Sequence, residues 1–310
     1  MVRGDRRVVT DPAGPVTSVD AVTSIEEALP EMQELASRTW TPASRHHPGQ
    51  LAWSARYALP EDLGHGPVGL FREPGGRVVG WAWAEARDWL ELCVDPAHPE
   101  TVAAAAEWFL GLGATGPVRT MTLETEEHVL AGLAGTGFEV EDQPWFTHHH
   151  LDLDVLPPAP EVPGYTFRHV APGEAEARAA CHRAAWSPPG GTSRVSGAAY
   201  ARLMTTPPYR PELDWVAVDA AGAMVASCLV WLDDRTGVGL VEPVGCHPDH
   251  RGRGLAAASS LAALRAARVA GGRTGLVCPR GDDGYPAPRR VYQRMGFVPG
   301  PRTLTLRGDA

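Results

Sequence analysis

The apolar and polar residues of the second half of the chain follow patterns that predict the element order βααβββαβαβ. Alternating or short apolar runs predict strands at YTFRHV, in both arms of WVAVDAAGAMVASCLVWL, and at GVGLVEPVGC, TGLVCP and RTLTL. Alanine-rich or helically spaced runs predict three of the four helices, at GEAEARAACHRAAW, LAAASSLAALRAARVA and PAPRRVYQRMG. This order predicts a mixed α/β fold around one sheet.

Three strings recur in both halves of the chain in the same order. ELASRTWTP is echoed by ACHRAAWSP, ELCVDP by EPVGCHP, and LAGTGFEV by YQRMGFVP. Between the halves, residues 156–165 contain four prolines, which deny backbone hydrogen bonds and stiffen a connector. We therefore predict a duplicated chain with one domain over residues 1–155, a linker at 156–164 and a second domain over 165–310.

Charge and cysteine content narrow the functional classes. The net charge is −9 and the chain has no lysine, which argues against nucleic-acid or anionic-membrane partners and favours cationic ones. The five cysteines are scattered without a CxxC pair, which argues against a disulfide framework or a zinc ribbon. With no signal peptide or membrane span recognised, we expect a cytoplasmic protein, and the Arg/Ala/Gly/Pro-rich composition indicates a GC-rich bacterial genome.

The stretch PDHRGRGLAAASS stands between a predicted strand and a predicted helix. Its glycines permit close backbone approach, and the helix start offers unpaired N–H groups with positive potential. Its arginines add mobile, fork-shaped donors for phosphate oxygens. The spacing fits neither a P-loop nor GxGxxG, so the stretch is either an anion cradle or a solvated glycine turn.

Two motifs carry a resemblance to a known family. Residues Arg251–Ala256 read R-G-R-G-L-A, which fits [RQ]-x-x-G-x-[GA], and Tyr292–Phe297 read Y-Q-R-M-G-F, which fits Y-x-x-x-G-F. The second half thus resembles the GCN5-related N-acetyltransferases (GNAT), and the whole chain resembles a tandem GNAT protein. The resemblance implies two α/β folds, each with a mixed, splayed sheet flanked by helices, and acetyl-CoA as co-substrate.

The resemblance also implies roles for individual residues. Backbone groups of Val244, Gly245 and Cys246 would pair with the pantetheine and the acyl carbonyl. The amides of Arg251, Gly252, Arg253, Gly254, Leu255 and Ala256 would hold the pyrophosphate. Tyr292 would protonate the departing thiolate, which is chemically sound because thiol and phenol have solution pKa values of roughly 8.5 and 10. Simple core packing is the alternative for Tyr292.

A base is also needed, because an amine is protonated at neutral pH. Glu242 is the candidate, since it lies two residues before Val244 and so on the same face of that strand. The family commonly carries its acidic residue two positions earlier on this strand, where this chain has Leu240. Glu242 is therefore a base, a substrate anchor or a structural partner. A second departure is Tyr285, at a position where many relatives have asparagine.

The first half lacks these groups. Its strand-to-helix loop has no cradle motif and places Glu100 where a phosphate would be repelled, while Leu133 stands at the position of Tyr292. We expect a degenerate copy that supports the active half, the alternative being a separate ligand site. We expect the loops Arg45–Gly49 and Pro189–Arg194 to lie over an acceptor site.

Three further features have a structural interpretation that requires no additional function. The polar outer face of an edge strand accounts for THHHLDLD, and no metal site is predicted. Trp40 and Trp186 are read as core anchors, with substrate contact as the alternative. Cys246 lacks an evident activating base, so direct transfer is favoured over an acyl-enzyme.

The sequence therefore predicts an N-acetyltransferase that acts on a primary amine of a small molecule or peptide, as a monomer or homodimer, without nucleic acid or membrane. Acceptors compatible with the acidic charge are aminoglycosides, polyamines, amino acids and peptide N-termini. Two alternatives stay open: a thiol-pathway enzyme similar to mycothiol synthase, and a non-catalytic acyl-CoA-binding protein.

Overall fold

The computed structural model describes residues 7–8, 18–22, 24–56, 66–186 and 193–309. It divides into two compact units. The first comprises residues 1–47, 63–145 and 301–310, and the second comprises residues 48–62 and 146–300.

Strands and helices alternate along both repeats. In chain order, the strands are β1 (Arg7–Val8), β2 (Ser18–Val22), β3 (Val68–Arg72), β4 (Val78–Ala86), β5 (Trp89–Val94), β6 (Pro117–Leu123), β7 (Glu139–Glu141), β8 (Thr147–Asp152), β9 (Thr166–His169), β10 (Asp214–Val218), β11 (Met224–Asp233), β12 (Val238–Cys246), β13 (Thr274–Val277) and β14 (Val298–Asp309). The helices are α1 (Ile25–Thr39), α2 (Pro48–Arg56), α3 (Thr101–Leu110), α4 (Glu127–Gly135), α5 (Ala175–Ala185), α6 (Gly197–Leu203), α7 (Leu255–Val269) and α8 (Ala287–Arg294). From β9 to β14 their order confirms the predicted βααβββαβαβ.

The second unit is built on a mixed sheet in the order β8-β13-β12-β11-β10-β9. Only the β12–β13 pair is parallel; the other described pairs of this sheet are antiparallel. Helix α7 buries Leu261, Leu264 and Ala267 in a core with Val230 and Leu232 of β11. Alternation along β11 directs Trp231 to the opposite face of the sheet.

The sheet opens between β12 and β13. Their pairing runs from Val238↔Thr274 to Leu240↔Leu276 and then ends, although β12 continues to Cys246. Opposite β11, the register shifts so that Glu242 and Pro243 together face one residue, Leu229. This is a β-bulge, which bends a strand and frees backbone groups. The predicted splay of a GNAT-like sheet is thus confirmed.

The first unit repeats the same plan. Its sheet has the order β1-β2-β3-β4-β5-β6-β14, with β7 also paired to β14. The parallel pair is β5–β6, and the described pairing ends at Leu90↔Thr120 while β5 continues to Val94. Helices α3 and α4 pack onto this sheet through Val102, Phe109 and Leu133. Two tandem copies of one fold are therefore present.

The compact units are not two consecutive halves of the chain. Residues 301–309 of β14, from the second repeat, pair with β6 in the first unit, from Thr303↔Leu123 to Asp309↔Pro117. Helix α2, from the first repeat, belongs to the second unit, where a Cβ at Gly49 would overlap the Cβ of Trp231. The domain limits at residues 155 and 165 therefore stay a prediction about the sequence repeat. The two units defined by contacts between residues have other limits.

Candidate functional site

A cavity of about 630 Å³ opens in the second unit where β12 leaves β13. Its wall combines the end of β12, the start of α7, the face of α8 and part of the connector between the repeats. Residues that line it include Pro157, Pro158, Pro160, Trp186, Val244, Gly245, Cys246, Arg251, Gly252, Gly254, Leu255, Ala256, Tyr285, Tyr292 and Arg294. The structure thus brings together both motifs that the sequence singled out.

The loop before α7 has the backbone of an anion cradle. Gly252 and Gly254 adopt φ values of 76° and 84°, and Gly254 caps the helix in the left-handed conformation. The first hydrogen bond of the helix runs from the amide of Ala258 to the carbonyl of Gly254 at 2.9 Å. Among the described residues, the amides of 252–257 donate no backbone hydrogen bond, and they offer an anion a row of donors at a helix start.

The two arginines of this loop, expected as mobile donors for phosphate, are hydrogen-bonded to oxygens of the protein. Arg251 donates to the carbonyl of Ala185 at 3.0 Å and to that of Cys246 at 3.3 Å. Arg253 donates to the hydroxyl of Tyr165 at 2.8 Å. Their guanidinium groups hold the loop in place, because carbonyl and hydroxyl oxygens within reach satisfy the fork before any ligand arrives. Both still add positive charge beside the cradle, and Arg251 also lines the cavity.

The end of β12 and one face of α8 also line the cavity. Val244, Gly245 and Cys246 are partly exposed there, directly after the bulge. Burial raises the pKa of the Cys246 thiol, which keeps it protonated and a poor nucleophile. This favours the expected direct transfer over an acyl-enzyme.

Tyr292 lines the cavity from α8. Its side chain is 8% exposed and packs edge-on against Phe297, with ring centroids 5.8 Å apart. Burial, and after it the neighbouring acidic groups of Cys228 and Glu242, raise the pKa of the Tyr292 phenol well above its usual value. The phenol therefore keeps its proton at neutral pH, as a proton donor must.

Glu242 lies in the bulge of β12 and is not among the residues that line the cavity. Its backbone carbonyl accepts a hydrogen bond from the indole nitrogen of Trp231 at 2.7 Å. Burial raises the pKa of its carboxyl to about 7. A carboxyl with this pKa is half ionised at neutral pH and can exchange protons there.

Sequence reasoning missed part of the wall. Trp186 is 49% exposed and stacks on His182 at 5.9 Å, so its interpretation as a core anchor is wrong. It stands at the C-terminal end of α5, beside Gly245, and lines the cavity. The prolines of the connector also line the cavity, and their composition had indicated only a spacer.

The histidine-rich strand β8 differs from its interpretation as a polar edge. His148 and His149 are 3% and 0% exposed, because β8 pairs with β13 and Leu151 enters the core. Burial lowers the pKa of His149, which favours the neutral ring. Within the described ranges, no group of three or more His, Cys, Asp or Glu side chains is arranged to hold a metal ion.

The first unit has a different interior at the equivalent strand. Glu91 of β5 is buried and paired with Arg45, whose Nη2 donates to Glu91 Oε1 at 2.9 Å. His46 donates from Nε2 to the carbonyl of Leu92 at 2.8 Å, and burial followed by the Arg45 charge lowers the pKa of its ring to about 4. Arg45 and His46 are thus buried and do not form a mobile loop; most of the companion loop, residues 189–192, lies outside the described residues.

A comparison with protein-family profiles relates part of the chain to a known family. A sequence profile described as "Acetyltransferase (GNAT) family" matches residues 180–297. No protein with a curated function matches the chain. In the described parts of the chain, no helix combines the length and the apolar character required to cross a membrane.

Solved structures share the fold over nearly the whole chain. A tandem GNAT protein from the clavulanic acid biosynthesis pathway is 21% identical, with a TM-score of 0.60 over 94% of this chain and 98% of that one. A GNAT acetyltransferase from Colwellia psychrerythraea is 13% identical, with a TM-score of 0.62 over 94% and 99%. A GCN5-related N-acetyltransferase from Sphaerobacter thermophilus is 21% identical, with a TM-score of 0.56 over 93% and 95%. At these identities the likeness shows the fold, and it confirms the predicted tandem GNAT architecture.

Proposed function

Because residues 180–297 form a domain of the GNAT acetyltransferase family, we propose that this protein is an acyl-CoA-dependent N-acyltransferase that moves acetyl from acetyl-CoA to a primary amine. One observation carries the proposal. One cavity is lined both by the loop before α7, whose backbone amides make no backbone hydrogen bond in the described chain, and by Tyr292, whose phenol keeps its proton. That pairing fits a long substrate with a diphosphate at one end and a thioester at the other.

In the proposed reaction, the neutral amine attacks the carbonyl carbon of the thioester directly. The new C–N bond forms, the C–S bond breaks, and the electron pair leaves on sulfur. Tyr292 donates its phenolic proton to that sulfur, and the proton lost by the amine passes to Glu242 directly or through water. Glu242 then releases its proton to solvent and a proton from solvent restores Tyr292, so that an amide and CoA–SH are the products.

The acceptor belongs to the same proposal. The net charge of −9 favours encounter with cationic amines, such as polyamines, aminoglycosides, amino acids or peptide N-termini. The first repeat would support the second without a catalytic role, because Arg45 and Glu91 occupy the interior at its equivalent strand.

The proposal is tested by release of CoA, measured with a thiol-reactive dye in the presence of acetyl-CoA and a panel of amines. We expect turnover with at least one amine and a mass increase of one acetyl group on it. Tight binding of acetyl-CoA without turnover on any amine would instead identify a non-catalytic acyl-CoA-binding protein. Turnover confined to a cysteinyl amine would identify the thiol-pathway alternative.

The pH dependence tests Glu242. Its raised pKa means that the carboxyl accepts a proton only above about pH 7, so kcat/KM should rise with pH through about 7. Glu242→Gln should lower kcat/KM by about 10²-fold and remove that limb. The pKa of the Glu242 carboxyl is higher in the folded protein than in the unfolded chain. Its contribution to stability is therefore present below the pKa of the unfolded chain and is lost as the pH rises through about 7. An unchanged limb in Glu242→Gln would exclude Glu242 as the base.

The cradle is tested by a pair of glycine substitutions. Gly254→Ala places a Cβ at φ 84°, which costs about 1–2 kcal/mol and is relieved only by turning the cradle amides. Gly222 in the β10–β11 turn has the same φ of 84°, and a Cβ meets nothing within 4 Å at either position. We expect similar losses of stability, but a KM for acetyl-CoA raised about tenfold in Gly254→Ala alone. Equal KM values in the two variants would contradict a role for the cradle.

A further inference from the structure

Trp231 connects helix α2, which comes from the first repeat, to the strand that carries Glu242. It lies in β11 and is 0% exposed. The backbone of Gly49 in α2 packs so closely on it that a Cβ at Gly49 would overlap the Cβ and Cγ of Trp231. From its ring, the indole Nε1 donates a hydrogen bond to the backbone carbonyl of Glu242 at 2.7 Å. One side chain therefore contacts both segments.

The carbonyl that accepts this hydrogen bond belongs to the β-bulge of β12. There Glu242 and Pro243 together face Leu229 of β11. The extra residue of a bulge has no regular partner in the ladder, and the bulge sets the direction of its side chain. The ring of Tyr209 packs edge-on against Trp231, with centroids 6.2 Å apart, and so limits movement of the indole. A fixed indole thus fixes the bulge and the direction of the Glu242 side chain.

The environment of the Glu242 carboxyl shows how α2 could act on it. Burial raises the pKa of this carboxyl to about 7, and the titratable side chain that responds to its charge is Tyr292 of α8. Residues 48–55 of α2 include no titratable side chain. An effect of α2 on this carboxyl would therefore pass through packing, by way of Trp231, and not through a charged side chain.

We propose that Trp231 is a positioning residue for Glu242 and that Gly49 of α2 holds Trp231 in place. The first repeat then contributes to the acid–base step of the second repeat, although it supplies no group that touches the substrate. This inference rests on the proposed function, in which Glu242 accepts the proton of the amine. It gives the supporting role of the first repeat a specific route, from α2 through one indole to the bulge.

The first test removes the hydrogen-bond donor and keeps an aromatic ring. In Trp231→Phe the carbonyl of Glu242 loses the indole N–H and becomes available to water. Water beside the carboxyl favours its charged form, so the pKa of Glu242 should fall from about 7 to about 6. Carbon-13 NMR of glutamate-labelled protein measures this pKa, and the signal is assigned by its absence in Glu242→Gln. An unchanged pKa would overturn the proposal.

Trp215→Phe is the matched control for this variant. Trp215 Nε1 also donates to a backbone carbonyl, that of Glu212, at 2.8 Å. It lies in β10, which is not a neighbour of β12 in the sheet. We expect this control to leave the pKa of Glu242 unchanged. An equal fall of the pKa in both variants would indicate a general loosening of the sheet and would also overturn the proposal.

The second test displaces α2. Gly49→Ala places a methyl group against Trp231, and the control Gly132→Ala places one in α4 at 2.5 Å from the Cβ of Val102. Both variants should unfold at a lower temperature, but only Gly49→Ala should lower the pKa of Glu242. The double variant Gly49→Ala, Trp231→Phe should lower it no further than the larger single effect, because both changes act through one indole. Additive effects would exclude Trp231 as the link to α2.

The pH profile of turnover supplies a readout that a merely structural role would not move. The rising limb of kcat/KM should shift from about pH 7 to about pH 6 in Trp231→Phe and stay in place in Trp215→Phe. The two proposals fail differently. If Glu242 is not the base, the pKa measured by NMR still falls while the limb stays in place. If Trp231 does not position Glu242, the pKa stays the same in an enzyme whose limb Glu242→Gln still removes.

Discussion

Tyr292→Phe is expected to lower kcat by about 10²- to 10⁴-fold while the KM for acetyl-CoA changes by less than about threefold. The substitution removes only the phenolic oxygen, so the ring keeps its packing against Phe297. The thiolate would then leave without the proton donor that the proposed reaction assigns to it. Steady-state rates with the best amine of the panel give both constants.

The control for this variant is Tyr209→Phe. Tyr209 is another tyrosine of the second unit, and its hydroxyl donates to Asp214 at 3.2 Å rather than facing the cavity. Its loss should cost about 1 kcal/mol of stability and leave kcat unchanged. A kcat in Tyr292→Phe equal to that of the parent would remove Tyr292 from the reaction.

Asp214→Ala is expected to lower the free energy of unfolding by about 3–5 kcal/mol, the largest stability effect predicted for this chain. Asp214 and Arg178 are both 0% exposed, and Arg178 Nε donates to Asp214 Oδ1 at 2.9 Å. The hydroxyl of Tyr200 donates to the other carboxylate oxygen at 2.6 Å. Removing the carboxylate leaves a buried guanidinium without its counter-ion. Urea unfolding gives the difference.

Asp234→Ala is the control, because it removes an ion pair at the surface rather than a buried one. Asp234 pairs with Arg210 at the surface, where its side chain is 71% exposed, and its removal should cost no more than about 1 kcal/mol. The double variant Arg178→Met, Asp214→Leu should be more stable than Asp214→Ala, because it removes both buried charges. A double variant less stable than the single one would show that packing, not charge, sets the cost.

Local sequence was sufficient for the features that depend on neighbours along the chain. The order of elements from β9 to β14 followed from short-range apolar periodicity, which reflects which face of a strand or helix is buried. The cradle was predictable because two glycines before a helix start define both the backbone conformation and the free amides. Tyr292 was predictable because one turn of helix separates it from the Gly296–Phe297 turn.

Features that depend on distant segments were not predictable in this way. A closing strand can pair with any sheet edge of suitable register, and nothing in RTLTL indicates that β14 pairs with β6, nearly two hundred residues earlier, rather than within its own repeat. Arg251 carries an anion motif, yet the nearby carbonyls of Ala185 and Cys246 occupy its guanidinium.

The sequence by itself thus determined the repeated fold, the backbone of the cradle and the acid candidate, because each is encoded within a few residues. Only the tertiary structure decided what surrounds them. Trp186 is exposed at the cavity and lies beside Gly245 of β12, and prolines of the connector form part of the cavity wall. Both outcomes depend on which surfaces meet after the chain has folded, and residue order alone carries no distance between such surfaces.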